Sequence, residues 1–244
     1  MNDYTEMFEI QIHASGSKGN AYSIIDGDQR ILIDPGIRFK DLQKATRFKL
    51  SEYDFCLISH EHKDHCHAFS GIQKLGLKSI MSLGTYNALG ESGQYEITHI
   101  ISNPVETPDV EEILDMAPWA IMPFKTQHDA AEPFGFLIKS PSGKKICYAT
   151  DTYYIRYNFP GVTHWMIECN YSEELLQKNS ALPDDVKRRI RTSHFELKNC
   201  VEFFKAQDLT ATEAIHLIHL SDDNSDAELF QKEIEKSTGK PVYV

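Results

Sequence analysis

Between Leu57 and His67 the chain reads Leu57-Ile58-Ser59-His60-Glu61-His62-Lys63-Asp64-His65-Cys66-His67, which places His60, His62, Asp64 and His65 within six consecutive positions. Imidazole nitrogens and a carboxylate at this density are ligands suited to zinc or manganese. In a loop, His60 and His62 can lie on one side and Asp64 and His65 on the other, so that one hexapeptide serves two adjacent cations. Phe55, Leu57 and Ile58 suggest a buried strand before the cluster, and Cys66 to Leu75, ending at Gly76, suggests a helix after it. The cluster therefore sits where a strand breaks into a helix. A solvated, histidine-rich loop is the ordinary reading of any single histidine here, but the whole spacing directly after an apolar strand argues for metal.

The elements on either side repeat this arrangement of apolar strand followed by polar turn. Phe8 to His13 and Ala21 to Ile25 read as strands around Ser15-Gly16-Ser17-Lys18-Gly19-Asn20, a small-residue turn that lets backbone approach something closely or simply closes a hairpin. The strand Arg30 to Ile33 ends in Asp34-Pro35-Gly36, and Phe39 to Phe48 reads as an amphipathic helix packing on the core. Strand, short helix and strand are expected between Lys78 and Asn103, with His99 structural, and Pro104 to Pro118 reads as an acidic, turn-rich lid or edge loop. Trp119 to Phe124 and Phe134 to Ile138 flank Gln127-His128-Asp129-Ala130-Ala131-Glu132-Pro133. The buried strand Lys145 to Ala149 delivers Thr150-Asp151-Thr152, His164 to Cys169 carries Glu168 at its end, and a basic helical segment ends at Arg191-Thr192-Ser193-His194. A helix over Leu197 to Gln207, a strand over Ile215 to Ser221, a helix over Ala227 to Lys236 and an edge strand over Pro241 to Val244 complete the chain. Alternation along Ile215 to Ser221 puts His219 on the face of Ile215 and Leu217, with His216 on the other.

His60-x-His62-x-Asp64-His65 is the HxHxDH pattern of the metallo-β-lactamase superfamily, and the chain resembles that superfamily from end to end. The phrase from His128 to Pro133, followed by Gly135-Phe136, is similar to the YycJ/WalJ-like, RNase Z-like phosphodiesterase branch. The resemblance implies an α/β fold, a four-layer αβ/βα sandwich of two mixed β-sheets flanked by helices. It also implies two divalent metal ions, Zn2+ or Mn2+. His60, His62 and His128 would hold one, Asp64, His65 and His219 the other, and Asp151 would bridge them, since one carboxylate can give an oxygen to each of two cations. Asp34 would support a ligating histidine from behind. Glu168 would orient His194, which would steady phosphoryl charge or protonate the leaving oxygen, so that Asp64, His194 and Glu168 form the catalytic set.

The implied activity is phosphodiester hydrolysis by a hydroxide between the metals, and for the YycJ/WalJ branch a DNA exonuclease. Compact relatives of the anti-Pycsar type open cyclic nucleotides with the same ligands, and a thioester or lactone hydrolase could use the same metals without Glu168 or His194. Asp and Glu outnumber Lys and Arg by 36 to 25, for a net charge of −11, which disfavours tight sequence-independent binding of long nucleic acid. The stretch Lys187-Arg188-Arg189-Ile190-Arg191 is a candidate phosphate grip or the solvated face of a helix. Five cysteines without paired spacing and an N-terminus lacking a basic-then-apolar leader fit a reduced, cytoplasmic protein. No apolar run reaches bilayer length, so no membrane partner is expected. Gly and Pro are dispersed and no repeat or linker divides the chain, which reads as a single domain over 1–244. Dimerisation is common among related phosphodiesterases, but no interface is legible here.

Overall fold

Apolar runs fill the buried parts of the strands Ala21–Asp26, Gln29–Ile33, Phe55–Leu57, Trp119–Lys125, Phe134–Lys139 and Lys145–Ala149, the composition expected where both faces of a sheet are buried, while the first strand, Phe8–Ala14, alternates apolar and polar residues. A computed structural model describes residues 8–90, 98–101 and 114–244. The chain forms two compact units, Met1–Pro104 with Ala130–Phe134, and Val105–Asp129 with Gly135–Val244.

The first unit holds β1 (Phe8–Ala14), β2 (Ala21–Asp26), β3 (Gln29–Ile33), α1 (Phe39–Ala45), β4 (Phe55–Leu57), α2 (Lys63–Cys66), α3 (Phe69–Leu75), β5 (Ser79–Ser82), α4 (Leu83–Ala88) and β6 (Thr98–Ile101). Its six strands lie in sequence order in one sheet. β1 to β3 are antiparallel, and β3 to β6 are parallel. Leu32, Cys56, Ile58 and Met81 alternate onto one face and pack with Leu42 of α1 and Phe69 and Ile72 of α3. Tyr22, Ile24, Ile31, Ile33, Phe55, Leu57 and Ile80 alternate onto the opposite face and are also buried.

The second unit holds β7 (Leu114–Met116), β8 (Trp119–Lys125), β9 (Phe134–Lys139), β10 (Lys145–Ala149), β11 (His164–Glu168), α5 (Glu173–Lys178), α6 (Asp184–Ser193), α7 (Leu197–Ala206), β12 (Ala214–Ile218), α8 (Ala227–Thr238) and β13 (Val242–Tyr243). Its sheet has the order β13-β12-β11-β10-β9-β8-β7. β10 to β13 are parallel, and β9 runs antiparallel to β10. Trp165, Ile167, Ile215 and Leu217 form one face with Cys200, Phe203 and Phe204 of α7 and Phe230 and Ile234 of α8. The fold is thus two mixed β-sheets flanked by helices, the class expected from the sequence.

Three local expectations change. The helix expected over Cys66 to Leu75 is two helices, because the turn at His67-Ala68 breaks the run and the Ala68 amide donates to the Pro35 carbonyl at 2.8 Å. Part of the stretch expected to be a loop, 104–118, is the strand β7, while 102–113 lies outside the described residues. β12 ends at Ile218, so strand alternation does not reach His219, whose backbone turns left-handed with φ 54°.

Candidate functional site

The chemistry-bearing residues follow strand ends: Asp34 after β3, His60 after β4, His128 after β8, Asp151 after β10 and His219 after β12, with Glu168 the last residue of β11. In open parallel sheets the carboxyl ends of the strands are where ligands bind. At three of these corners the backbone is left-handed, with φ 51° at Asp34, 45° at Asp151 and 54° at His219. Among non-glycine residues, Asp and His tolerate that region comparatively well. The corners therefore turn sharply and still carry side chains able to ligate.

In the first unit, Asp34 is fully buried and organises the histidines around it. Its Oδ1 accepts the Ser59 amide at 2.8 Å, and its Oδ2 accepts the Ser59 hydroxyl at 2.8 Å and faces His65 Nδ1 at 2.8 Å. A carboxylate can only accept, so the His65 proton lies on Nδ1 and Nε2 is the lone-pair nitrogen. The same logic passes through Ser59. Its hydroxyl hydrogen is committed to Asp34, so its oxygen accepts from His60 Nδ1 at 3.0 Å and His60 also carries its lone pair on Nε2. The His60 ring lies 4.7 Å from that of His62 and 4.2 Å from that of His65 between centroids. Asp64 Oδ2 is 3.4 Å from His65 Nε2.

Backbone holds this loop in place. The Asn20 amide donates to the Asp64 carbonyl at 2.8 Å, and the Gly36 amide donates to the Asn20 carbonyl at 2.7 Å. A Cβ on Gly36 would lie 1.6 Å from the Asp64 carbonyl oxygen, so only glycine fits there. The Asn20 side-chain amide reaches the Asp64 carbonyl at 3.2 Å and His65 Nε2 at 3.1 Å. Cys66 gives its thiol to the Glu61 and His62 carbonyls, and burial pushes its pKa up to about 12, so it ties the loop and does not offer a thiolate.

In the second unit, ligand-type atoms of Asp151, Glu168, His194 and His219 all lie within 4.8 Å of one another. Glu168 is fully buried. Its Oε2 accepts the Thr152 amide at 3.0 Å and the Phe195 amide at 3.2 Å, and its Oε1 faces Nδ1 of His194 at 2.7 Å and Nδ1 of His219 at 3.0 Å. Burial works against a charge on Glu168, but the two imidazoles outweigh it and hold the carboxyl below its ordinary range. Burial likewise works against charge on His194, yet the Glu168 and Asp151 carboxylates lift its pKa to about 10. His219 carries its Nδ1 proton toward Glu168, and its carbonyl accepts the Asn170 side-chain amide at 2.8 Å. The His128 ring lies 5.6 Å from that of His194, its Nδ1 donates to the Ser193 carbonyl at 3.1 Å, and burial lowers its pKa.

Four histidines, His60, His65, His128 and His219, thus give Nδ1 to an acceptor and carry the lone pair on Nε2. This is how proteins orient imidazoles for metal binding, and with Asp64 in the first unit and Asp151 in the second these His/Asp clusters are suited to divalent metal. Asn20, Ser59, Thr152 and Asn170 join these clusters without having been singled out from sequence. Their only local signal is a position beside, or in a turn ahead of, a motif residue.

Comparison with known proteins decides the family. A model described as the beta-lactamase superfamily domain matches residues 29–220. The chain belongs to this superfamily. Over 241 residues it is 26% identical to exodeoxyribonuclease YycJ of Bacillus anthracis, covering 93% of this chain and 88% of that one. Over 232 residues it is 27% identical to exodeoxyribonuclease WalJ of Streptococcus pneumoniae D39, covering 91% and 85%. Its fold matches the metallo-β-lactamase fold protein YhfI from Bacillus subtilis with a TM-score of 0.71 and 17% identity, over 97% of this chain and 95% of that one. The chain is therefore a metallo-β-lactamase-fold hydrolase. Among the described residues no helix is long and apolar enough to cross a membrane.

Proposed function

We propose that the chain is a dinuclear metal-dependent phosphodiesterase that shortens DNA as an exonuclease, with one functional domain spanning 1–244. His60, His62 and His128 would hold one cation, Asp64, His65 and His219 the other, and Asp151 would serve both. The observation that carries this reading is the shared orientation of four imidazoles, each turned by an acceptor on Nδ1 so that Nε2 becomes the ligand atom. Similarity to two exodeoxyribonucleases over most of the chain supports the substrate class. Divalent cations, when bound, polarise a phosphoryl oxygen and make a nucleophile of water at neutral pH.

The protein's own residues supply the rest. Asp34 fixes the tautomers of His65 and, through Ser59, of His60. Glu168 holds His194 through Nδ1 and keeps it protonated, so His194 Nε2–H can stabilise phosphoryl charge and give its proton to the departing oxygen. Glu168 itself stays ionised and acts through His194, because its four hydrogen-bond contacts leave it no route to substrate.

The net charge of −11 favours a second reading, hydrolysis of a small cyclic nucleotide in place of a polymer. One assay separates them: wild type and Asp64→Ala, with manganese or zinc, are given end-labelled single- and double-stranded DNA and 3′,5′-cyclic nucleotides. The exonuclease reading expects stepwise shortening of DNA by wild type alone. Opening of cyclic nucleotides with intact DNA would overturn it in favour of the small substrate. Activity on neither, with turnover of a thioester or lactone that survives Glu168→Gln and His194→Ala, would remove phosphodiesters altogether.

A further inference from the structure

Two cavities in the second unit share one aromatic wall. The first, of about 540 Å³, is lined by His128, Asp129 and Tyr153 and by Asp185, Arg188 and Arg189 of α6, among others. The second, of about 390 Å³, is lined by Tyr153, Tyr154, Arg156, Tyr157 and Asn199 among others. Tyr153 belongs to both, and it follows Asp151 by two residues. It is 40% exposed and shares the first cavity with the candidate ligand His128, and its neighbour Tyr154, 56% exposed, lines the second cavity.

The cations of α6 are not equivalent. Arg189 is committed to Asp129 at 2.8 Å, Arg191 to Glu173 at 2.6 Å, and Lys187 to the Gln177 carbonyl at 3.4 Å. Among the described residues the Arg188 guanidinium has no ion pair, and it lines the cavity that His128 also lines. Thr192 and Ser193 lie on the same wall, with the Thr192 hydroxyl donating to the Arg189 carbonyl at 3.1 Å and the Ser193 hydroxyl to Asp129 at 3.3 Å.

We propose that these cavities form the track for a single-stranded nucleotide chain. Arg188 takes the phosphate next to the reacting one, and Tyr153 and Tyr154 stack the bases on either side of it. The inference rests on the phosphodiesterase reading and adds to it how the substrate is held: with its strand end unpaired within the track. Stacking platforms require unstacked bases, and aromatic stacking binds single strands with little regard to sequence. This also accommodates the acidic composition. A net charge of −11 disfavours affinity built on neutralising many phosphates, whereas two rings and one cation need few such contacts.

The test uses the metal-loaded full-length protein, with KM and kcat measured on 5′-labelled single-stranded (dT)12, and equilibrium binding of a fluorescent phosphorothioate (dT)12 followed by anisotropy from 50 to 200 mM salt. Arg188→Ala and Tyr153→Ala are each expected to weaken binding about tenfold, with the loss in KM and not in kcat. Arg188→Ala should also flatten the salt dependence by about 0.7 in the log–log slope, one phosphate contact on a single strand, whereas Tyr153→Ala should leave that slope unchanged. Lys236→Ala, an exposed cation on α8, is the control expected to match wild type. If DNA is cut but neither variant changes KM, the track is refuted and the exonuclease reading stands. If (dT)12 binds with these effects but no phosphodiester is cut, the track stands and the exonuclease reading fails. Equal losses in kcat and KM would also refute it, because they would place Arg188 or Tyr153 in the chemistry.

Discussion

Replacing Asp34 with Asn tests whether one buried carboxylate sets the proton positions of two histidines. Asp34 accepts the Ser59 amide, the Ser59 hydroxyl and the His65 Nδ1 proton, each at 2.8 Å. In Asp34→Asn the amide oxygen can still take the Ser59 amide proton. The amide NH2 then faces Ser59 Oγ and His65 Nδ1, both of which donate in wild type. His65 answers by moving its proton to Nε2, the nitrogen 3.1 Å from Asn20 and 3.4 Å from Asp64. Ser59 answers by accepting from the amide and turning its own hydrogen toward His60 Nδ1. Both imidazoles then lose the Nε2 lone pair that a cation needs. Loss of such a supporting group lowers metal affinity roughly 10- to 100-fold, or about 1.4 to 2.7 kcal/mol.

Asp34→Ala is the harsher comparison. It leaves three buried donors without acceptors, at about 1–3 kcal/mol each, and puts a Cβ-bearing residue with no polar group at φ 51°. Most of a typical 5–15 kcal/mol stability would be consumed, so this variant is expected to misfold while Asp34→Asn folds. The assay is 15N–1H correlation of histidine-labelled, metal-free protein, which reports which ring nitrogen bears hydrogen, paired with metal content after dialysis against buffered zinc. Wild type should show Nδ1–H on His60 and His65, and Asp34→Asn should show Nε2–H and weakened uptake. A folded Asp34→Asn protein with unchanged tautomers and wild-type metal affinity would refute the argument.

The remaining predictions follow from single contacts. Ser59→Ala removes the acceptor for His60 Nδ1 while Asp34 still holds His65, so metal uptake should weaken about tenfold with only the His60 proton signal shifted. Gly36→Ala drives a Cβ into the Asp64 carbonyl, and a soluble Gly36→Ala protein with normal metal content would contradict the close approach of those backbones. Phe204→Ala opens a hole in the α7–α8 core worth about 3–5 kcal/mol, expected as a Tm drop on the order of 10 °C by calorimetry, with metal stoichiometry preserved. His216 is held near a pKa of about 4 by burial and by His164, below its unfolded value, so it is neutral in the folded chain. The unfolded chain binds the extra proton, so the stability this residue contributes is present above pH 6.5 and is lost as pH falls toward 4, by up to about 3 kcal/mol. His216→Gln should flatten the Tm–pH curve across that window, and an unchanged curve would show that His216 titrates normally.

What the sequence reveals is local. Unbroken apolar runs mark strands such as Ile31-Leu32-Ile33 and Phe55-Cys56-Leu57, where both faces are buried. The motif residues stand out because ligand-type side chains are unusual directly after such runs. Partnerships between distant positions are not legible in one sequence. Asn20 meets His65 from 45 residues away, Ser59 meets Asp34 from 25, and Glu168 meets His219 from 51. An Asn at the end of a Ser/Gly turn looks like turn chemistry until the backbone brings it to Asp64. His219 shows the limit of periodicity in another way: pattern reasoning carries a strand on to Ser221, but the chain leaves the strand at Ile218 and reaches His219 through left-handed backbone.

That left-handed backbone recurs at Asp34, Asp151 and His219. Each such residue costs roughly 1–2 kcal/mol relative to ordinary backbone, which glycine would avoid while removing the side chain. The conformation persists because neighbouring contacts fix it from both sides. Asp34 donates its amide to the Leu57 carbonyl at 2.9 Å and accepts the Gly36 amide at 2.9 Å. His219 sits between the Cys169 amide bonded to Ile218 at 3.1 Å and the Ser221 amide bonded to Asn170 at 2.9 Å. Asp151 is followed by Thr152, whose amide is held by Glu168 at 3.0 Å and whose hydroxyl accepts the Gln127 amide at 2.9 Å. Strain at the corners is therefore offset by the same contacts that aim the side chains. Asp34, Asp151 and His219 thus stand just beyond strand ends, and Thr152, held by Glu168 and Gln127, fixes the turn that carries Asp151.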